Sequence, residues 1–553
     1  VASGSATTKA DVKITGDNAD DALGYAVSSV GDVNGDGKDD VIVGAYMDDD
    51  GYTNSGSAFV FYGGVSSGSA TAQSSVKITG DASSDNFGSR VSSAGDMNGD
   101  GLDDFIAASV NNGVTGAAYF FYGGTTSGTA SAKANVMISG DSGLDYFGSS
   151  ISSAGDVNGD GLDDVVVGAY GDDDGGSESG SAFVFYGGVT SGAATTKASV
   201  KITGDSASDR FGWASSGGGD INGDGKSDFI VGAYQDDDGG SNSGSAFIFY
   251  GGVTSGAATA KADIKLIGDS ASDSFGGGVS NAGDVNGDGK DDVIVGASGD
   301  DNGGSASGSA KIYAFNDFQN SAKLVGDAAS DSFGMSVASA GDVNGDGKDD
   351  VIVGANGDDD GGSSSGSTFI FYGGVTSGAA TTKANVKLTG DGANDNFGGS
   401  VASAGDVNGD GKDDVIVGAY CDDDGGADSG SAFIFYGGVT SGAATTKANV
   451  KLTGDSADDN FGSSVSSAGD VNGDGLGDVI VGAWGDDDGG SASGSVFIFY
   501  GGVTSGAATT KASVKITGDS ANDRFGWVSS GGGDINGDGK DDVIVGAYCD
   551  DDG

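Results

Sequence analysis

Aspartate, asparagine and glycine recur along the chain in a spacing that suits a hard metal cation. The segment from Asp342 to Asp350 has side-chain oxygens at its first, third, fifth and ninth positions and glycine at its sixth. Side chains at positions 1, 3 and 5 converge when the backbone winds around an ion, and the glycine permits the turn. The carbonyl of position 7 and the carboxylate of position 9 would complete the roughly six to eight oxygens that Ca²⁺ takes. The segment is therefore predicted to be a calcium loop.

The loop occurs nine times, with first residues at 32, 96, 156, 220, 284, 342, 406, 470 and 534. Positions 1, 3, 4, 5, 6 and 9 are the same in every copy, whereas position 7 is Lys or Leu, as expected where only its carbonyl binds. Position 8 changes to Ser227 and Gly477, which argues against a ligand there. A solvated Asx-Gly turn would explain one copy, but nine copies favour the metal. An EF-hand is excluded because position 12 is apolar, as at Val353, where that motif needs Glu.

The predicted calcium ligands are the side chains at positions 1, 3, 5 and 9 and the carbonyl at position 7 of each copy. Calcium, at about nine sites, is the predicted cofactor. In chain order the ligand residues are Asp32, Asn34, Asp36, Lys38, Asp40, Asp96, Asn98, Asp100, Leu102, Asp104, Asp156, Asn158, Asp160, Leu162, Asp164, Asp220, Asn222, Asp224, Lys226, Asp228, Asp284, Asn286, Asp288, Lys290, Asp292, Asp342, Asn344, Asp346, Lys348, Asp350, Asp406, Asn408, Asp410, Lys412, Asp414, Asp470, Asn472, Asp474, Leu476, Asp478, Asp534, Asn536, Asp538, Lys540 and Asp542.

A second acidic group follows the loop in most repeats. Two interpretations of it stay open: a second cation site or carboxylates presented to a partner, and a solvated segment that keeps the surface soluble. The group is a run of three aspartates, shortened to Asp300-Asp301 in one repeat, at Asp48–Asp50, Asp172–Asp174, Asp236–Asp238, Asp358–Asp360, Asp422–Asp424, Asp486–Asp488 and Asp550–Asp552.

The elements that must position these residues are short β-strands. Around the sixth loop, residues 335–340 indicate a half-buried strand and 351–355 a strand buried on both faces. Residues 367–372 indicate an aromatic strand, and 386–389 alternate like an outer strand with one wet face. No segment keeps a 3.6-residue period, so helices are expected to be scarce. One such sheet cannot bury both faces alone, which predicts stacking against neighbouring sheets.

Composition excludes several classes of function. The chain has 553 residues, a formal charge of −57 and no His or Pro, so it has no basic surface for nucleic acid or an anionic membrane. Its 36% hydrophobic residues are enough for a core, which argues against disorder. No apolar run reaches the length of a membrane span. Cys421 and Cys549 occupy equivalent positions in two repeats and imply no disulfide framework.

Three sub-motifs in a fixed order resemble the FG-GAP repeat of integrin α-subunit β-propellers and their bacterial relatives. They are Phe-Gly, Gly-Asp-Val-Asn-Gly-Asp-Gly-Lys-Asp-Asp and Val-Ile-Val-Gly-Ala. The resemblance implies an all-β fold, a β-propeller-like array of four-stranded antiparallel blades built from about nine FG-GAP repeats. The array is expected to run continuously through residues 1–553 without a separate catalytic domain. The resemblance also implies that the calcium loop joins the first two strands of a blade, with Asp32, Asn34, Asp36, Asp40 and their counterparts as ligands.

The chain departs from the family pattern in ways that leave the architecture open. Leu23-Gly24 replaces the first Phe-Gly, Ala108-Ser109 replaces Gly-Ala, and the Pro of the family's Gly-Ala-Pro is absent. Such propellers usually have seven blades, whereas nine loops occur here. A seven-bladed ring with the start of another, one ring of eight or nine blades, and an open spiral or polymer completed by a neighbouring chain all remain alternatives.

The predicted function is that of a non-enzymatic, calcium-stabilised extracellular or cell-surface protein. It would act in adhesion or as a structural unit of a surface fibre or matrix, with calcium, a protein or glycan ligand and copies of itself as partners, and without nucleic acid or membrane insertion. Catalysis is disfavoured because the chain has no His for a general base. Alternatives are the propeller part of a larger secreted hydrolase and an acidic calcium-storing surface protein.

Overall fold

The computed structural model describes residues 4–5, 14–15, 21–63, 68–69, 71, 74–110, 115–301, 307–313, 322–326, 328, 330–373, 375, 378–488, 490–518, 522–533 and 540–547. They form two compact units. One unit is built from residues 14–281, and the other mainly from residues 282–533 together with Gly4–Ser5 and Asp542–Ala547. The same repeat of four antiparallel strands builds both units.

The four strands of a repeat lie in the sheet in chain order. The first strands are Leu23–Gly31, Phe87–Gly95, Ser150–Gly155, Ala214–Gly219, Gly278–Gly283, Ser336–Gly341, Ser400–Gly405, Phe461–Gly469 and Phe525–Gly533. The second strands are Asp40–Ala45, Asp104–Ser109, Asp164–Ala169, Asp228–Ala233, Asp292–Ala297, Asp350–Ala355, Asp414–Ala419, Asp478–Ala483 and Asp542–Ala547. The third strands are Ser57–Phe61, Ala117–Phe121, Ser181–Phe185, Ser245–Phe249, Ser309–Tyr313, Ser367–Phe371, Ser431–Phe435 and Ser495–Phe499. The fourth strands are Val76–Thr79, Val136–Ser139, Val200–Thr203, Ile264–Ile267, Ala322–Val325, Val386–Thr389, Val450–Thr453 and Val514–Thr517.

The second and third strands are the centre of each sheet because their residues are almost all apolar. Every residue of Asp164–Ala169 and Ser181–Phe185 is buried, and the two strands pair with Val165 opposite Phe185. The first strand carries a bulge at its end, where Gly155 has a φ of +65° that favours glycine. The bulge turns the chain into the calcium loop, so the loop starts at a fixed place relative to the sheet.

Neighbouring sheets bury their faces against each other. In the unit of residues 14–281, one hydrophobic cluster joins Met97 and Phe120 of the second repeat to Phe147 and Phe183 of the third. Phe147 belongs to the Phe-Gly motif, and its ring meets the Phe183 ring edge-on with centroids 5.2 Å apart. Each such buried ring contributes about 1.5–3 kcal/mol by leaving water. The predicted stacking of sheets is therefore confirmed within each unit.

A fifth, two-residue strand follows the third strand of a repeat and pairs in parallel with the fourth strand of the repeat before it. We call it the clasp strand. Gly192–Ala193, for example, pairs with Ile138 and Ser139. These strands are Gly4–Ser5, Gly68–Ser69, Gly128–Thr129, Gly192–Ala193, Gly256–Ala257, Gly378–Ala379, Gly442–Ala443 and Gly506–Ala507. Gly4–Ser5 pairs with Val514–Thr517, and Gly68–Ser69 pairs with the short strand Ile14–Thr15. Sequence reasoning did not predict the clasp strand.

Helices are confined to one turn after a clasp strand in the part of the chain that the structure describes. They are Ala130–Lys133, Ala194–Lys197, Ala258–Lys261, Ala380–Lys383, Ala444–Lys447 and Ala508–Lys511. None of the described helices is long and apolar enough to cross a membrane. The four strands predicted around the sixth loop are present at Ser336–Gly341, Asp350–Ala355, Ser367–Phe371 and Val386–Thr389, so the mainly β prediction is confirmed.

Candidate cation sites at the two ends of each sheet

Acidic residues lie at both ends of the sheets. Because the strands are antiparallel, successive connections between them lie at opposite ends of a sheet. One end carries the calcium loop, which joins the first and second strands, and the turn after the third strand. We call it the loop end. The other end carries the connection between the second and third strands, which contains the aspartate triplet, and the connection that leads to the next repeat. We call it the triplet end.

At the loop end, the carboxylate of position 1 organises the backbone of its own loop. In the third repeat, Asp156 Oδ1 accepts hydrogen bonds from the backbone N–H groups of Gly159 at 2.6 Å and Asp160 at 3.0 Å. Asp156 Oδ2 accepts one from Gly161 at 2.8 Å, and Asp160 Oδ1 accepts one from Leu162 at 3.0 Å. The same bonds to position 1 occur in eight loops, those beginning at Asp32, Asp96, Asp156, Asp220, Asp284, Asp342, Asp406 and Asp470.

The carboxylate of position 9 is buried beneath the loop. Asp164 is fully buried; its Oδ2 accepts a hydrogen bond from Val157 N at 2.9 Å, and its Oδ1 accepts one from Gly187 N in the turn after the third strand at 2.8 Å. Burial raises the pKa of Asp164 to about 7, and the charge of Asp160 adds to the rise. The same cause raises the pKa of Asp104 to about 7 and that of Asp40 to about 6.

These donor sets fit a hard cation. A carboxylate oxygen that accepts one N–H bond keeps a second lone pair for a metal, and the Asn34 amide donates its N–H to Asp40, which leaves its Oδ1 available. Among the described residues, no lysine or arginine forms an ion pair with Asp156, Asp160 or Asp164. No described lysine or arginine therefore neutralises these three carboxylates through an ion pair. In the described loops the three carboxylates do not all lie within 4.8 Å of one another.

In each of eight loops, the structure places the predicted ligand positions in one compact turn at the loop end. That they bind calcium stays a prediction. In the ninth loop, Asp534, Asn536 and Asp538 lie outside the described residues, whereas Asp542 begins the strand Asp542–Ala547.

Position 8 has a role that sequence reasoning missed. Asp163 Oδ2 accepts a hydrogen bond at 2.9 Å from the backbone N–H of Asp96, which is position 1 of the preceding loop, and Asp163 N donates to the Asp96 carbonyl at 3.2 Å. Ser227 keeps the backbone half of this link, to Asp156 O at 3.0 Å. Position 8 therefore connects successive loops. The sequence held a signal of this role, because position 8 is always a small residue: Asp, Ser227 or Gly477.

At the triplet end, a lysine of the fourth strand forms ion pairs with two members of the aspartate triplet. Lys201 Nζ lies 2.9 Å from Asp172 and 2.7 Å from Asp174, and 4.8 Å from the centroid of the Phe183 ring. Asp172 is buried, and its Oδ1 also accepts the Asp174 N–H at 2.8 Å. Burial by itself would lower the pKa of Lys201, but its hydrogen bonds to the two aspartates outweigh burial and raise it. The first member of the triplet is thus a structural anion and not a solvated one.

The second repeat lacks both partners of this ion pair. Its connection between the second and third strands has no aspartate triplet, and its fourth strand has Met137 where the third repeat has Lys201. Met137 pairs with Tyr119 and packs against the neighbouring hydrophobic cluster. Lysine and triplet are therefore absent together.

An aromatic group stands beside the triplet end in the unit of residues 14–281. Tyr170 stacks on Tyr146 at 4.9 Å between ring centroids and meets Trp213 at 5.1 Å, and Trp213 meets Tyr234 at 4.8 Å. Arg210 lies between the Tyr170 and Tyr234 rings, at 5.8 and 6.0 Å from their centroids. Trp213 is 41% exposed, so the group presents an aromatic surface to solvent.

Comparisons with known proteins match the repeats directly. The FG-GAP repeat matches residues 23–61, 147–185, 211–249, 397–435 and 525–551, a second FG-GAP repeat description matches 449–499, and the FG-GAP-like repeat matches 284–353. Together these matches cover more than half of the chain.

Among curated proteins, integrin alpha-PS2 of Drosophila melanogaster is 37% identical over 179 residues, which are 30% of this chain and 12% of that protein. Integrin alpha-5 of Xenopus laevis is 33% identical over 227 residues, which are 39% of this chain and 20% of that protein. The chain thus spans a fifth or less of the length of these relatives. A solved structure of BBS1N in complex with ARL6DN covers 74% of the chain at 9% identity with a TM-score of 0.35, which is too low to establish a common architecture.

Proposed function

This chain belongs to the FG-GAP repeat family, and from that premise we propose that it is a non-enzymatic, calcium-stabilised module of an extracellular or cell-surface protein. The module acts in adhesion or as a structural unit of a surface fibre or matrix.

One observation carries the calcium part of the proposal. In successive repeats a carboxylate is buried at position 9 below a loop that offers further oxygens and, in the third repeat, has no ion pair to a described lysine or arginine. Burying such a charge is costly unless a cation compensates it. Extracellular calcium at about 1 mM would occupy even loops with dissociation constants of about 0.1–1 mM.

Two observations support adhesion. The curated relatives named above are integrin α-subunits, and the aromatic group around Trp213 offers an exposed surface of the kind that protein and glycan ligands contact. The high negative charge keeps such a surface soluble.

The calcium part is tested by counting bound ions and measuring thermal unfolding, with two variants of adjacent positions. Asp160→Ala removes a predicted ligand at position 5 and should lose one bound calcium per chain. Asp163→Ala removes the position-8 link and should keep the full number. Equal calcium counts in wild type and Asp160→Ala would contradict the assignment.

The adhesion part is tested by the binding of the calcium-loaded chain to immobilised extracellular-matrix proteins and glycans. Trp213→Ala should weaken binding, whereas Tyr52→Ala, an aromatic residue 56% exposed outside the aromatic group, should not. Loss in both variants or in neither would remove the aromatic group from the proposal. A hydrolysis screen on glycosides and esters tests the non-enzymatic part, and reproducible turnover by the purified chain would contradict it.

A further inference from the structure

We propose that the triplet end carries a second set of divalent-cation sites, each formed by three aspartates from two successive connections. In each group, two aspartates come from the connection that follows a fourth strand and the third is the first member of the next triplet. The groups are Asp141, Asp145 and Asp172; Asp205, Asp209 and Asp236; Asp391, Asp395 and Asp422; and Asp455, Asp459 and Asp486. None of these residues belongs to a calcium loop.

The geometry of each group suits a hard cation such as Ca²⁺. The three residues offer carboxylate oxygens that all lie within 4.8 Å of one another. In the group of Asp455, Asp459 and Asp486, the first residue is exposed and the other two are buried. An ion would therefore meet two fixed carboxylates from the protein side and a third from the solvent side, and water would fill the remaining positions.

One buried carboxylate oxygen of the group has no hydrogen-bond donor among the described residues. Asp459 is 2% exposed; its Oδ2 accepts a hydrogen bond from Ser456 N at 2.9 Å, while its Oδ1 accepts none from the residues that the structure describes. The equivalent Oδ1 atoms of Asp145 and Asp209, both 1% exposed, are in the same condition. Leaving such an atom unpaired is costly, above all for a charged group, and a bound cation removes that cost.

The lysine at the triplet end does not neutralise the group. Lys515 Nζ lies 2.7 Å from both Asp486 and Asp488, so one ammonium is shared among the triplet carboxylates and the charges of Asp455 and Asp459 remain. Burial, followed by the charge of Asp486, raises the pKa of Asp459 to about 7.

The second repeat provides a matched control within the same chain. Asp85 occupies the position of Asp145 and is also buried, but its repeat has no triplet to supply a third carboxylate. Asp85 Oδ2 accepts hydrogen bonds from Ala82 N at 2.7 Å and Asp81 N at 3.1 Å. Asp85→Asn should therefore leave cation binding unchanged.

The test compares bound calcium, after equilibrium dialysis, in wild type, in Asp85→Asn and in a variant that combines Asp145→Asn, Asp209→Asn and Asp459→Asn. The combined variant should bind about three ions fewer than wild type, and Asp85→Asn the same number as wild type. The difference in unfolding temperature from wild type should also change sign. The combined variant should unfold at a lower temperature than wild type in calcium and at a higher temperature than wild type in chelator. An unchanged ion count would overturn the proposal and leave protons or lysine as the compensating charges.

Terbium luminescence gives a second readout that a poorly folding combined variant cannot obscure. All three tryptophans, Trp213, Trp484 and Trp527, stand beside the triplet end, whereas tyrosines such as Tyr186 follow the third strands at the loop end. Selective excitation of tryptophan should therefore sensitise Tb³⁺ at the triplet end, and Asp459→Asn alone should reduce that emission. Emission that Asp459→Asn leaves intact would overturn the proposal, whereas the count lost in Asp160→Ala reports separately on the loop end.

Discussion

The loop end and the triplet end of a sheet hold comparable numbers of aspartates but treat their charge differently. At the loop end, backbone N–H groups orient Asp156 and Asp164, and no described lysine or arginine pairs with them. At the triplet end, Lys201 crosses from the fourth strand to pair with Asp172 and Asp174. The described residues thus give the third repeat no ion pair to a lysine or arginine at its loop end, whereas its triplet end carries part of its counter-charge in the chain.

The second repeat shows which end is optional. It has lost the triplet and the lysine, yet it keeps its calcium loop, with Asp104 buried and bonded to Gly123 N at 2.8 Å. The triplet and its lysine can therefore be removed together without loss of the sheet, whereas no repeat dispenses with the loop.

Removing calcium should lower the stability of the chain more than any of the substitutions below, because it acts on every loop end. If each loop binds with a dissociation constant of about 0.1 mM, about 1 mM calcium stabilises it by about 1.4 kcal/mol, or roughly 6 kcal/mol for the four loops of residues 14–281. Chelation should lower the unfolding temperature strongly, as calorimetry would show. Sodium chloride of equal ionic strength is the control, because simple screening of the charge would restore stability with either salt.

Lys201→Met should have the next largest effect. This substitution places in the third repeat the methionine that the second repeat has at the equivalent position, Met137. It leaves Asp172 buried without its lysine partner, which costs on the order of 3 kcal/mol. Denaturant unfolding should show this loss with calcium and with chelator. Adding Asp172→Ala and Asp174→Ala should recover much of it, and failure to recover would mean that lysine stabilises mainly through its contact with Phe183.

The pH dependence of the calcium-free chain should change by a smaller amount. The pKa values of Asp104 and Asp164 are raised from 3.8 to about 7, and that of Asp40 to about 6. Because the folded state holds these protons more tightly, its stability is greatest below about pH 4 for these groups and falls as pH rises through 6 to 7. Unfolding in chelator should therefore occur at a higher temperature at pH 5 than at pH 7.5.

Calcium should reverse that slope, because the metal needs the ionised carboxylates. Unfolding temperatures measured in calcium across the same range would rise towards neutral pH. The same falling slope in calcium and in chelator would mean that the loops do not bind the ion through their position-9 aspartates.

Asp163→Ala should have the smallest effect. It removes one side-chain hydrogen bond between successive loops, worth about 1 kcal/mol. The backbone bond from Asp163 N to Asp96 O remains, as does the equivalent bond from Ser227 N in the next loop. The unfolding temperature should decrease slightly, while the number of bound calcium ions stays constant. Ser227→Ala is the matched control and should be close to neutral.

Features that repeat locally could be predicted from the sequence. The Phe-Gly motif, the nine-residue loop and the Val-Ile-Val-Gly-Ala strand each lie within about ten residues, so their spacing reveals them without any knowledge of the fold. The strand of residues 351–355 was predicted to be buried on both faces and is. The outer strand 386–389 was predicted to have one wet face, but Lys387 turns that face towards Asp358 and Asp360.

Features that depend on distant partners could not be predicted. Lys201 and Asp174 are 27 residues apart, and Asp163 and Asp96 are 67 apart. No periodicity within one strand or loop indicates such pairs, because their geometry is set by how strands and successive repeats pack.

The clasp strand gives the chain a direction. The fourth strand of one repeat is completed by a serine and a clasp strand that lie about 54 residues further on, as Met137 N and Ser191 Oγ show. A ribosome releases the N-terminus first, so a repeat whose clasp strand comes from its successor exposes an unpaired strand edge until that successor has been synthesised. The fourth strand Val514–Thr517 differs, because it pairs with Gly4–Ser5. Such edges recruit other strands. The growing chain is therefore most prone to aggregation at its youngest repeat, and truncation within one repeat damages the repeat before it.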